Sequence, residues 1–71
     1  MTSNWKFKVV KSQRGGDGKW FAYRAAMTTA DESEAREYAR DFAANQAAAG
    51  VVGTRINVLT RGGKHVAEYR V

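Results

Sequence analysis

A chain of 71 residues with no cysteine and one histidine forms one domain, over 1–71, and a domain this small buries only about 60% of the surface its unfolded form exposes. A disulfide framework and a thiolate metal site are excluded, which leaves pairing with a second copy as the expected source of extra stability. A formal net charge of +5 and a pI near 10.0 fall in the range of a nucleic-acid-binding footprint.

The opening "MTSNWKFKVV" holds no apolar run of the length a signal peptide or membrane span needs. Residues 1–4 read as a flexible tail, and a cytoplasmic location is expected. From Trp5 the chain alternates, with Trp5, Phe7 and Val9 on one side and Lys6 and Lys8 on the other, the period of a half-buried strand. Glycines 15, 16 and 18 around Asp17 then interrupt it. "KWFAYRAAM" resumes as a second strand, rich in aromatic residues. Phe21, Tyr23, Ala25 and Met27 are assigned to the core because they carry no charge, and Trp20, Ala22, Arg24 and Ala26 to the opposite face.

"TTADESEAREYARDFAANQAAAG" reads as a helix over about 30 to 49. Thr29 and Glu32 have capping-box spacing, and the early acids suit the helix dipole. Ala35, Tyr38, Ala39, Phe42 and Gln46 make the core-facing stripe, and Gly50 stands where a left-handed cap belongs, with Val51 after it. "GTRINVLTRGGKHVAEYRV" is a second hairpin. With Gly62 and Gly63 as the central residues of a primed turn, Ile56, Val58, Ala67, Tyr69 and Val71 share one face. Arg55, Asn57, Leu59, Val66, Glu68 and Arg70 share the other, and Leu59 faces Val66.

The expected fold is α+β, in the order ββαββ: a four-stranded antiparallel sheet with one long helix packed on one face. Strand order stays open, since the hairpins can join through strands 1 and 4, 1 and 3, or 2 and 4, and hairpins exchanged between two subunits stay open as well. Between 28 and 50 there are five acids (Asp31, Glu32, Glu34, Glu37, Asp41) and two bases (Arg36, Arg40), a net of −3. The remaining chain nets +8, so the basicity belongs to the hairpins. The sheet face away from the helix is expected to show Lys6, Lys8, Arg24, Arg55 and Arg70 with Trp20, and the turns Arg14, Lys19, Arg61 and Lys64.

The triplet Arg-Gly-Gly occurs at 14–16 and 61–63. Arginine-glycine boxes that bind nucleic acid are long and repetitive, whereas these are single triplets between patterned strands, where glycine supplies the positive φ of a turn. "GGDGKW" lacks the hydroxyl residue and the leading glycine of a nucleotide-binding P-loop. His65 has no sequence-level partner, and Ser3, Ser12 and Ser33 stand in no nucleophile elbow. The acids at 34, 37 and 41 read as a solvated helix face. No enzyme, cofactor or metal is expected.

"EAREYARDFAANQAAAG" followed by "INVLTRGGKHVAEYRV" resembles the small bacterial and phage proteins of domain of unknown function 2188. In them an alanine-rich helix ending near an Asn-Gln pair leads into an apolar strand, a glycine turn followed by a base, and a closing polar strand. The likeness covers about residues 34 to 71. It implies a fold and a bacterial or phage source, and it carries over no catalytic or binding residue.

The first expected function is a small, non-enzymatic basic module that contacts the phosphate backbone of nucleic acid without sequence preference, as a homodimer. Lys6, Lys8, Arg14, Lys19, Arg24, Arg61 and Lys64 would position phosphates, and Trp20 would stack on a base. The alternative is a protein-interaction module, such as a phage factor binding a host protein, or a homodimerisation domain. Either would use the same face through an apolar group of Val10, Leu59 and Val66.

Overall fold

The computed structural model describes residues 4–71, apart from the side chain of Tyr23. The expected tail lies outside the described residues except for Asn4, which is exposed. Strand β1 spans Phe7–Arg14, β2 Trp20–Thr29, the helix α1 Glu32–Ala48, β3 Thr54–Thr60 and β4 His65–Arg70. The class is α+β, one helix against an antiparallel sheet, and the strands lie in the order β2-β1-β3-β4. The hairpins therefore join through the first and third strands. β2 and β3 are both antiparallel to β1 and so run parallel to each other. Only a long crossover can connect such a pair, and α1 supplies it.

Val9, Ile56, Val58, Ala35 and Ala39 are fully buried. Alanine at two helix positions one turn apart lets the helix lie close to the two central strands. Phe7, Met27, Phe42, Ala43, Val66, Ala67, Tyr69 and Val71 pack around this centre. Tyr38, expected inside, stays exposed at the helix flank with its ring edge-on to Phe42 at 6.1 Å. The N-cap is Asp31 rather than Thr29. Its carboxylate accepts from the Ser33 N–H at 2.9 Å and the Ser33 hydroxyl at 2.7 Å, while the Thr29 hydroxyl accepts from the Asp31 N–H. Asp31 needs no capping box because it reaches the orphan donors of the first turn itself.

The far end follows the glycine expectation. Gly50 has φ +81, its N–H donates to the Ala47 carbonyl, and the Val51 N–H donates to the Gln46 carbonyl. These are the paired bonds of a Schellman ending.

The hairpin loops share one geometry. Gly15 N–H donates to the Lys19 carbonyl at 2.8 Å and Gly18 N–H to the Gly15 carbonyl at 3.0 Å. Thr60 N–H donates likewise to the Lys64 carbonyl at 2.8 Å, and Gly63 N–H to the Thr60 carbonyl at 2.9 Å. Gly18 (φ +83) and Gly63 (φ +95) are the left-handed residues. Both are three-residue loops closed by a left-handed glycine, and the equivalent dipeptides are Gly18-Lys19 and Gly63-Lys64. The two Arg-Gly-Gly triplets are thus out of step by two positions.

That geometry corrects the primed turn expected at Gly62 and Gly63. Leu59 pairs with His65 rather than Val66, whereas Val58 still pairs with Ala67. Val66 is the extra residue of a bulge, where two successive side chains oppose one partner, and it packs with Ala67 toward the core. β2 carries comparable irregularities against β1. Val9 pairs with Met27, Val10 with Ala25 and Ser12 with Ala22. Ala25 therefore leaves the core face assigned by alternation and is exposed, as is Phe21.

Candidate nucleic-acid interface

The antiparallel join of β1 to β3 fixes where the cations go. Phe7 pairs with Thr60 and Gln13 with Thr54, so the loop after β1 and the loop after β3 lie at opposite ends of the sheet. Arg14 and Arg61 are therefore far apart. The seven steps of β1, at about 3.3 Å each, put its ends roughly 23 Å apart.

Each end gathers bases around a tryptophan. At one end the guanidinium carbon of Arg55 lies 4.0 Å from the centre of the Trp20 ring. Arg55 pairs with Arg70 across β3 and β4, and Glu68 bridges them, at 3.8 Å from Arg55 and 3.2 Å from Arg70. Arg14, at the end of β1, and Lys19, in the adjoining loop, flank this group, and Arg14 Nε donates to the Gly18 carbonyl at 3.0 Å. At the other end Arg61 stacks on Trp5 at 4.6 Å, and its guanidinium also donates to the Trp5 carbonyl. Lys6, Lys8 and Lys64 belong to that end. Such stacks contribute ~0.5–1 kcal/mol at exposed sites.

The predicted phosphate contacts thus fall into two groups rather than one face. Lys6, Lys8, Arg61 and Lys64 form one, and Arg14 and Lys19 join Trp20 in the other. Arg24 stands apart, exposed on the edge strand β2 within its irregular stretch. The strongest correction concerns the apolar group. Val10 is only 5% exposed and Val66 packs against the core, so of the three residues expected to form a docking patch only half-buried Leu59 keeps that place.

Between Trp20 and Glu68 the open face holds a cavity of about 270 Å³, lined by Ser12, Trp20, Arg55, Asn57, His65 and Glu68 among others. Asn57 forms its floor, 5% exposed, and donates from Nδ2 to the Ser12 hydroxyl at 3.3 Å. Its Oδ1 is buried without a partner. Asn57 and Ser12 carry no charge or aromatic signal, and nothing in the local sequence joins Trp20 to Arg55. Their meeting depends on the strand order.

No group of acids and histidines able to hold a metal ion occurs among the described residues, and no helix among them is long and apolar enough to cross a membrane. Comparison of the chain with family models, with curated proteins and with solved structures finds no match.

Proposed function

We propose that the protein is a small, non-enzymatic nucleic-acid-binding module that grips the phosphate backbone, largely without sequence preference, from the two ends of its sheet. The observation that carries this reading is the pair of arginine–tryptophan stacks at opposite ends of the sheet. Each sits among further cations, while the acids collect on the helix that covers the other face. Cations following a backbone and rings offering a stacking surface are the two components of single-strand recognition. The resemblance to domain of unknown function 2188 adds a bacterial cell, or a phage within one, as the setting.

Four cations per end give a salt slope of roughly −3 for a single strand bound at one end and roughly −5 to −6 for one bound at both. Fluorescence anisotropy of labelled single-stranded DNA against salt measures it. Binding that ignores salt, or no binding at low salt, refutes the reading.

A second reading, self-association or capture of a partner strand, has one supporting feature. β2 is a ten-residue edge strand whose only charge is Arg24, and unpaired edges of that kind recruit other strands. Its irregular pairing with β1 is a feature that discourages such recruitment, so we rank this reading second. Sedimentation at rising concentration tests it. A monomer throughout, with Leu59→Glu unchanged, removes it.

A further inference from the structure

We propose that copies of this chain join head to tail, β2 of one beside β4 of the next, because the helix presents acids on the β2 side and arginines on the β4 side. This rests on the second reading above and names a second copy as the strand that β2 captures. It is independent of whether nucleic acid binds.

The strand directions allow such a contact. β1 is antiparallel to β2 and to β3, and β3 is antiparallel to β4, so β2 and β4 run in opposite directions at the two edges of the sheet. A second copy laid alongside in the same orientation brings its β4 antiparallel to β2, the more stable way for strands to pair, with both helices on one face. Edges of this kind present unpaired backbone N–H and C=O groups. The irregular stretch of β2 stops short of its last residues, since Met27, Thr28 and Thr29 oppose Val9, Lys8 and Phe7 one to one.

The flanks of the helix decide which edges meet. Between α1 and β2 lies a groove of about 230 Å³ lined by Met27, Glu34, Glu37, Tyr38 and Asp41. Its counterpart between α1 and β4, about 380 Å³, is lined by Ser33, Arg36, Glu37, Arg40 and Tyr69. Glu37 borders both and favours neither. Tyr38 is 40% exposed, and Glu34 has no ion-pair partner among the described residues. Arg36 and Arg40 hold exposed local contacts, to Glu32 at 3.3 Å and Asp41 at 4.0 Å, of the kind that contributes little. Two copies joined through β2 alone, helices on one face, would set the acid flank against itself, and two joined through β4 would do the same with the arginines. Only β2 against β4 opposes Glu34 and Asp41 to Arg36 and Arg40, and it brings Met27 and Tyr38 toward Tyr69 of the second copy.

Four strands at about 4.8 Å put neighbouring helix axes roughly 19 Å apart, and helices about 11 Å across leave roughly 8 Å between them. That gap is close to the Debye length of about 8 Å at physiological salt. The charges therefore select the partner edge and its orientation, while backbone bonds and the apolar contact supply the affinity. A contact between two unlike surfaces propagates into a ring or an open filament.

Sedimentation velocity of the full chain at rising concentration, at about 0.1 M salt, reads the assembly. The mass should climb past that of a dimer. Glu34→Lys with Asp41→Lys, and separately Arg36→Glu with Arg40→Glu, should each weaken association about ten-fold or more. Mixing the two variants in equal amounts should restore it, because every contact between unlike variants again opposes acids to bases, and circular dichroism confirms the fold of each. A monomer at every concentration overturns both this arrangement and the self-association reading. Assembly that stops at a dimer and is weakened by only one of the two variants is isologous, which overturns the head-to-tail contact and leaves self-association standing. Association that ignores both variants, or that mixing fails to restore, overturns the arrangement as well.

Discussion

Replacing Lys6, Arg61 and Lys64 together by glutamine disarms one end of the sheet and leaves the other intact, and the outcome depends on ligand length. The two ends are separated by the roughly 23 Å of β1. A strand that keeps duplex-like stacking, with one phosphate per 3.4 Å, must therefore be at least about seven nucleotides long to reach both. Each phosphate contact on a single strand contributes about 0.7 to the slope of log K against log salt. With a strand of roughly 12 nucleotides the three substitutions should reduce the slope by about 2, from between −5 and −6 to between −3 and −4. With one of roughly five nucleotides, held at the Trp20 end alone, the slope should stay near −3. Anisotropy titrations at four or more salt concentrations measure both series. The same loss at both lengths would refute the two-ended arrangement, since it would mean that the cations act as one continuous patch.

Other outcomes follow from the fold. Ile56→Val, which removes one methylene from a fully buried side chain, should destabilise by ~0.5–1.5 kcal/mol and lower Tm by ~4–8 °C per kcal/mol, read by calorimetry. Gly18→Ala and Gly63→Ala meet no steric obstacle at Cβ but force a left-handed backbone, so each should cost ~1–2 kcal/mol in denaturant unfolding. Gly16→Ala, with open space and no positive φ, should be neutral or stabilise by up to ~1 kcal/mol. Unequal costs at 18 and 63 would argue against equivalent loops. Asp31 titrates below its ordinary 3.8 because the Ser33 hydroxyl and then the backbone N–H groups of Glu34 and Ser33 favour its carboxylate. A carboxyl with a depressed folded value stabilises the helix above its unfolded value and loses that contribution as pH falls through the folded one. Thermal melts of Asp31→Asn should accordingly show less loss of stability below about pH 4 than those of the parent chain.

Elements whose pattern is local could be read directly. The Schellman ending at Gly50 needs only glycine at the right distance from the stripe of Ala35 and Ala39, and the pairing of Ile56 with Tyr69 needs only alternation and a turn. The N-cap went to Asp31 because its carboxylate reaches the N–H groups of Ser33 and Glu34, whereas the Thr29 hydroxyl accepts from the Asp31 N–H, a difference of geometry that spacing does not rank. Ala25 and Val66 were misassigned for one common reason. Alternation assumes one residue opposite one, and each lies where a strand has a residue in excess. The candidate site was least legible. Trp20 and the lysines announce themselves by type, but the contact of Trp20 with Arg55 and the bond from Asn57 to Ser12 exist only because β1 lies between β2 and β3.

The tip of the second hairpin decides which side chain borders the cavity beside Trp20. Residues 59 to 66 can be accommodated in two ways that leave Val58 opposite Ala67. A two-residue loop would turn Val66 toward the open face and His65 toward the helix. The three-residue loop closed by Gly63 does the reverse, placing an imidazole on the rim and an isopropyl group inside. A change of loop type at Gly62 or Gly63 would therefore exchange a polar wall for an apolar one in a cavity that neither glycine touches, and would set an imidazole against the hydrophobic centre in place of Val66.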